Sequence, residues 1–242
     1  MTAATAKPAK PGDPDYEPSR VPTAWKTASP VPIGWARQFL YMSRRFEQIR
    51  GVPGDIFECG LGEGNTLAML AFLIGSEGQR PPRRLIGFDS FEGWPEPTEW
   101  DASPRNPKKG EWTVSRGMVE QRLTESKIRE ELADLKIEII EGFLDKSLPE
   151  FVCIRRQIAL LHLDVDLYPG YKDGLKHLFP LVAVGGLVLF DEYREFHPED
   201  PNYGNAEKWP GCTKAVDDYF ANRPERLQYD PETKKYWVVK QA

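Results

Sequence analysis

The strongest constraint on this chain is the stretch Ile158-Ala-Leu-Leu-His-Leu-Asp-Val-Asp-Leu-Tyr168. It begins as a nearly unbroken apolar run, the pattern of a strand buried on both faces and therefore central in a parallel sheet. It then ends in two carboxylates, Asp164 and Asp166. A second apolar run, Gly186-Leu-Val-Leu-Phe190, ends in Asp191 and Glu192, with Asp191 27 positions after Asp164. Ligands of open α/β sheets bind outside the carboxyl ends of the strands. Four acids gathered there repel one another unless a cation lies between them.

The segment upstream supplies a second site element. Gly54-Asp-Ile-Phe-Glu-Cys-Gly-Leu-Gly-Glu-Gly-Asn-Thr66 reads as strand, glycine-rich turn and helix start. Gly60, Gly62 and Gly64 allow a tight turn and close approach of a ligand to the backbone. A helix opening at Asn65 or Thr66 offers free N–H groups at its N-terminus. The G-x-G-x-G spacing falls short of the full dinucleotide fingerprint. Glu58 would repel a phosphate and suits the amino group of an amino-acid-like ligand. Arg84-Leu-Ile-Gly-Phe88 reads as the next strand and ends in Asp89-Ser90. An acid in that place accepts from ribose hydroxyls, or else caps a turn with Ser90. Lys136-Ile-Glu-Ile-Ile140 alternates like a strand and leads to Gly142 and Phe143, which can face a base or join the core.

The remainder fits one α/β domain of 242 residues, read as residues 33–242 behind a Pro-rich N-terminal arm, residues 1–32. Gly34 to Arg50 has helical spacing of Trp35, Phe39, Met42, Phe46 and Ile49. Residues 94–116 are a long aperiodic connection holding Trp94, Trp100 and Trp112, read as a lid. Helices are expected over 117–133, 171–182 and 213–222, with Gly185-Gly186 as a turn and a β-hairpin at the C-terminus. A net charge of −5 argues against nucleic acid or an anionic membrane as partner. The three cysteines make neither a disulfide framework nor a zinc site, which suits a reduced, cytoplasmic setting. No run is long enough to span a membrane.

Chemically, Asp164, Asp191 and Glu192 offer oxygen ligands to a hard cation such as Mg²⁺. Such an ion lowers the pKa of a hydroxyl that it holds. Asp166, two residues beyond Asp164, is placed to act as general base. His162 reads as a core residue, and His197 lies in the loop after the second acidic pair.

Several motifs together carry a family resemblance. Glu58-Cys-Gly-Leu-Gly-Glu-Gly64 resembles the first motif of class I S-adenosylmethionine-dependent methyltransferases. Phe88-Asp-Ser-Phe-Glu-Gly-Trp-Pro95, Leu163-Asp-Val-Asp-Leu-Tyr168, Gly185-Gly-Leu-Val-Leu-Phe-Asp-Glu-Tyr193 and Pro210-Gly-Cys-Thr-Lys-Ala-Val-Asp-Asp218 resemble the macrocin O-methyltransferase family over about residues 52–222. The resemblance implies a Rossmann-like α/β fold with a central, mostly parallel seven-stranded sheet, helices on both faces and a C-terminal β-hairpin. It implies S-adenosyl-L-methionine, Mg²⁺ or another divalent cation, and a sugar-bearing acceptor. By position, Asp164, Asp191 and Glu192 match metal ligands and Asp166 the base. Glu58, Cys59, Gly60, Gly62, Gly64, Asn65, Thr66, Asp89, Ser90, Gly142 and Phe143 are assigned to the cofactor. The second acidic pair is Asp-Glu where the family more often has Asp-Asp. A phenolic acceptor, a metal-dependent glycosyltransferase using Asp164-x-Asp166, a non-catalytic member of the fold and a homo-oligomer remain open at this point.

Overall fold

The structure, a computed structural model, describes residues 32–78, 81–151 and 156–242. Apart from Pro32, the expected N-terminal arm lies outside the described residues, as does Cys153. The chain divides into a short unit, Met1–Ala36, and a larger one, Arg37–Ala242, which contains the whole sheet.

In chain order the elements are α1 (Ile33–Gln48), β1 (Asp55–Cys59), α2 (Asn65–Glu77), β2 (Leu85–Asp89), α3 (Arg116–Glu125), α4 (Ile128–Glu131), β3 (Ile137–Glu141) and α5 (Leu144–Phe151). There follow β4 (Ile158–Leu163), α6 (Tyr168–Leu178), β5 (Val182–Phe190), α7 (Pro210–Phe220), β6 (Gln228–Asp230) and β7 (Lys235–Val239). The sheet order is β3-β2-β1-β4-β5-β7-β6. β1 to β5 run parallel, and the terminal hairpin adds β7 and β6 antiparallel. This is the expected seven-stranded, mostly parallel sheet with a C-terminal hairpin.

Alternation along the strands divides the core into two layers. Phe57, Leu161, Leu163, Val188 and Phe190 pack with Leu148, Tyr171, Leu175 and Val216 of α5, α6 and α7. Ile56, Leu160, Leu187 and Leu189 pack on the other face with Met42, Phe46, Leu67, Leu70 and Ile74 of α1 and α2. All six residues of β4 are buried, as the apolar run requires of a central strand.

Three local expectations are corrected. Gly185-Gly186 is no turn before the strand; both lie inside β5. Pairing slips there, from Ile158↔Val182 to Leu160↔Leu187. The two glycines absorb that bulge, since a Cβ on Gly186 would stand 2.9 Å from the Ala159 and Ala183 carbonyl oxygens. The helix expected over 117–133 is broken at Lys127, whose backbone is left-handed (φ 56°). The helix expected from Tyr171 starts earlier, at Tyr168, because Pro169 suits a first turn.

Candidate active site

A cavity of about 760 Å³ opens at the carboxyl edge of the parallel strands. Its floor begins with the glycine turn after β1. Gly60 has φ 85°, and a Cβ there would lie 1.7 Å from the Asp164 carbonyl oxygen, so only glycine lets the turn meet the end of β4. Gly62 (φ 48°) has open space at its Cα, and Gly64 (φ 81°) caps α2 without a side-chain hydrogen bond. The helix therefore opens toward the cavity wall formed by Asn65 and Thr66. Asp89 braces this turn from β2: its Oδ2 accepts from Leu61 N at 2.8 Å and its Oδ1 from Phe91 N at 2.8 Å. Ser90 donates to Gly93 O at 2.9 Å. Gly142 and Phe143, after β3, complete this half of the wall.

Of the expected cofactor contacts, Gly60, Gly62, Asn65, Thr66, Asp89, Ser90, Gly142 and Phe143 line the cavity, whereas Glu58, Cys59 and Gly64 do not. Glu58 and Cys59 precede the turn inside β1 and are fully buried. The Glu58 carboxylate instead meets His162 Nδ1 of β4 at 3.1 Å.

The acids sit at the centre of the edge. Alternation places Glu58 of β1, His162 of β4, Asp191 after β5 and Lys235 of β7 on the sheet face covered by α1 and α2. They form a row of alternating charge. His162 Nε2 stands 3.7 Å from Asp191 Oδ1, an ion-pair distance too long for a hydrogen bond. Lys235 Nζ donates to Asp191 Oδ2 and to its carbonyl oxygen, both at 2.7 Å. Burial works against the Asp191 carboxylate, yet Lys235 and His162 hold it well below the usual range. For His162, burial is outweighed by Asp191 and Glu58, and its pKa rises to about 10. Burial pushes Glu58 up to about 7 despite His162.

Asp164 ends β4 on the same face as His162, and donor atoms of His162, Asp164 and Asp191 lie within 4.8 Å of one another. Glu192 is outside that group of three, but its carboxyl is hydrogen-bonded with Asp164. One residue past Asp191, it projects to the opposite face, where Tyr171 of α6 meets its carboxyl. The Tyr171 hydroxyl also faces Leu163 O at 2.9 Å and has one proton for two neighbours. Burial and the charges of Asp164 and Asp166 raise the Glu192 pKa well above normal.

Asp166 lies beyond Asp164 with a left-handed backbone (φ 58°), uncommon for a residue with a Cβ. Its Oδ2 accepts from Trp94 Nε1 at 2.9 Å, and its backbone N–H donates to Glu192 Oε2 at 3.3 Å. Burial, then the Asp164 charge, lifts its pKa to about 7, while the Trp94 hydrogen bond pulls the other way.

The aperiodic segment 94–116 forms part of the wall through Trp94, Pro95, Glu96, Lys109 and Trp112. It is pinned at several points. Asp101 Oδ1 accepts from Tyr168 N at 2.7 Å, Ser103 Oγ donates to Lys208 O at 2.8 Å, and Trp94 packs edge-on to Trp209 with centroids 5.3 Å apart. Trp94, Lys235, His162 and Tyr171 are the site groups that sequence reasoning did not assign. For Lys235 the signal was alternation in the hairpin, since Phe190 pairs with Tyr236 and the next positions, Asp191 and Lys235, fall opposite.

The comparisons with known proteins agree with this geometry. The profile of the family described as Macrocin-O-methyltransferase (TylF) matches residues 33–224. The chain belongs to that family. Being a macrocin O-methyltransferase family member, it is an S-adenosylmethionine-dependent O-methyltransferase, and the glycosyltransferase reading of Asp164-x-Asp166 falls away. It is 28% identical over 184 residues to an 8-demethyl-8-(2,3-dimethoxy-alpha-L-rhamnosyl)-tetracenomycin-C 4'-O-methyltransferase of Streptomyces olivaceus, covering 75% of this chain and 69% of that one. It is 27% identical to a demethyldecarbamoylnovobiocin O-methyltransferase of Streptomyces niveus, covering 74% and 66%. Among solved structures, the calicheamicin methyltransferase CalS11 shares the fold with a TM-score of 0.71 at 23% identity over 98% of this chain and 99% of that chain. The O-methyltransferase NovP does so with a TM-score of 0.68 at 22% identity over 85% and 80%. Among the described residues of this family member, no helix is long and apolar enough to cross a membrane.

Proposed function

We propose that this chain transfers the methyl group of S-adenosylmethionine to a sugar hydroxyl of a glycosylated natural product, with Asp166 as the base and a divalent cation at Asp164 and Asp191. The observation that carries the reading is Asp166 itself, a cavity-wall carboxylate at the end of β4 with a pKa raised to about 7. A base poised near neutrality accepts a hydroxyl proton most effectively. The sugar follows from the relatives, whose names place methylation on a rhamnosyl group of a tetracenomycin and at the 3'' position of mycinamicin III.

The cavity suits the methyl donor. Its glycine-lined floor gives the backbone close approach, and the opening of α2 offers N–H groups to the donor's carboxylate. Asp89, Ser90, Gly142 and Phe143 stand where its nucleoside would lie.

The acids suit a divalent cation. His162 Nε2 and Glu58 Oε2 are buried without hydrogen-bond partners. Burial and mutual repulsion raise Asp164, so positive charge there would be stabilising. Asp164 and Asp191 would hold the ion; His162, kept protonated by Asp191 and Glu58, would join them only on losing its Nε2 proton. Bound there, it would make an acceptor hydroxyl more acidic. Trp94 fixes the Asp166 carboxylate for proton acceptance, and the 94–116 segment keeps water from the reacting atoms.

The test is methyl transfer from S-adenosylmethionine to a panel of glycosides, with Mg²⁺ and again after chelation. Turnover on sugar hydroxyls that chelation abolishes supports the reading. Turnover on phenols alone contradicts the sugar, and turnover that survives chelation contradicts the cation.

A further inference from the structure

The sheet order gives the site a direction. β3, β2 and β1 carry the cofactor half of the main cavity, β4 and β5 carry the acids, and β7 and β6 finish the sheet. A second cavity, of about 520 Å³, lies past the acids and is lined by Phe196, Tyr229 and Tyr236. It shares Asp191, Glu195 and Lys235 with the main cavity, so the two adjoin at the metal-binding acids.

Methyl transfer from a sulfonium is an in-line displacement. The acceptor oxygen forms its bond to the methyl carbon as the C–S bond breaks. The electron pair leaves with sulfur, and the hydroxyl proton goes to Asp166. The oxygen attacks from the side opposite the sulfur. An acceptor whose hydroxyl stands at the acids therefore carries its remaining bulk away from β1–β3, toward β5, β7 and β6. That is the direction of the second cavity.

We propose that this second cavity receives the aglycone of the acceptor, a planar aromatic group stacked on Tyr229 and Phe196. The proposal rests on the sugar O-methyltransferase reading and extends it to the acceptor class. Tyr229 is 48% exposed and Phe196 42% exposed, so each ring keeps surface on this wall that a flat ligand could cover. The Tyr229 ring is backed by Tyr236, with centroids 4.7 Å apart. The Phe196 backbone is fixed by its bridge to Glu207. The wall carries Arg194, His197, Lys234 and Lys235 beside Asp191, Glu195 and Glu199, and its cations other than Lys234 are already paired with acids, which leaves little free charge for a diphosphate. Lys235 is bonded to Asp191, and Arg194 lies 3.7 Å from Asp217. Glu195 and Glu199 flank His197 at 2.6 and 3.6 Å and would repel phosphate.

The test compares 4-nitrophenyl rhamnoside with methyl rhamnoside, which lacks the ring, in wild type, Tyr229→Ala and Phe196→Ala. Each variant is expected to raise KM for the aryl glycoside about tenfold at unchanged kcat, the scale of one lost aromatic contact. KM for the methyl glycoside should stay the same. An aryl KM that neither variant moves overturns the proposal, and so does a preference for a nucleoside diphosphate sugar over both glycosides. If no glycoside is methylated, the parent reading fails. Calorimetric titration of the aryl glycoside into the S-adenosylhomocysteine complex then decides the cavity alone. Binding that Tyr229→Ala weakens supports an aryl site, and no binding overturns it.

Discussion

In the proposed reaction Asp166 is the base, and its surroundings predict how it responds to change. Asp166→Asn removes the proton acceptor but keeps the shape and the Trp94 contact. It should lower kcat by about a hundredfold to ten-thousandfold while leaving S-adenosylhomocysteine affinity intact, read by single-turnover kinetics and calorimetry. Near-normal turnover would remove Asp166 from the role of base. In wild type, the base is active only when deprotonated, so kcat/KM should rise with pH and then level, with the limb below about 7 when a cation at Asp164 offsets the charge that raises Asp166. Trp94→Phe deletes a hydrogen bond that favours the carboxylate, so the rising limb should move to higher pH; an unmoved limb would contradict that contact. Stability runs the opposite way. The folded state binds the Asp166 proton more tightly than the unfolded chain, so wild type loses stability as pH climbs from the ordinary carboxylate range to about 7. The Asn variant is exempt, and its advantage in melting temperature should be small near about pH 5 and larger near about pH 8.

At the scale of elements, the strand ends and the turn after β1 set the site. Gly60→Ala would push a Cβ into the Asp164 carbonyl, forcing β1 and β4 apart. It should cost about 3 kcal/mol or more by urea unfolding. Gly62→Ala meets open space and pays only for its left-handed backbone, about 1 kcal/mol. Equal losses would mean the close approach at Gly60 is unimportant. The β7 hairpin contributes Lys235, and Lys235→Met leaves Asp191 with His162 as its remaining cation. That should destabilise the metal-free protein by about 2–3 kcal/mol, since a largely buried charge loses its partner. Mg²⁺ should then raise the melting temperature of the variant more than that of wild type, because Lys235 no longer shares Asp191. The apolar runs made the order of strands and the acids at their ends legible in the sequence. The four acids gather at these strand ends, where Glu192 reaches both the Asp164 carboxyl and the Asp166 backbone. Trp94 was out of reach, since 72 residues separate it from Asp166 and only the tertiary fold closes that loop.

At the scale of the molecule, the sheet lays out the reaction from one edge to the other. The glycine turn, Asp89 and Gly142 mark one half, the acids mark the centre, and the hairpin closes the other side. The family resemblance depended on motifs that all lie at this one edge, which is why the fold and the methyl donor were both legible. The acceptor was less so, because the groups around its proposed place come mostly from segment 94–116, the loop after β5 and the hairpin, where few of the shared motifs reach. The most direct measurement of the central claim is mass spectrometry of a rhamnoside incubated with S-adenosylmethionine, Mg²⁺ and this protein. The account predicts one added methyl group on the sugar fragment, lost in Asp166→Asn and after chelation. An unmodified sugar under conditions where S-adenosylhomocysteine binds normally would contradict it.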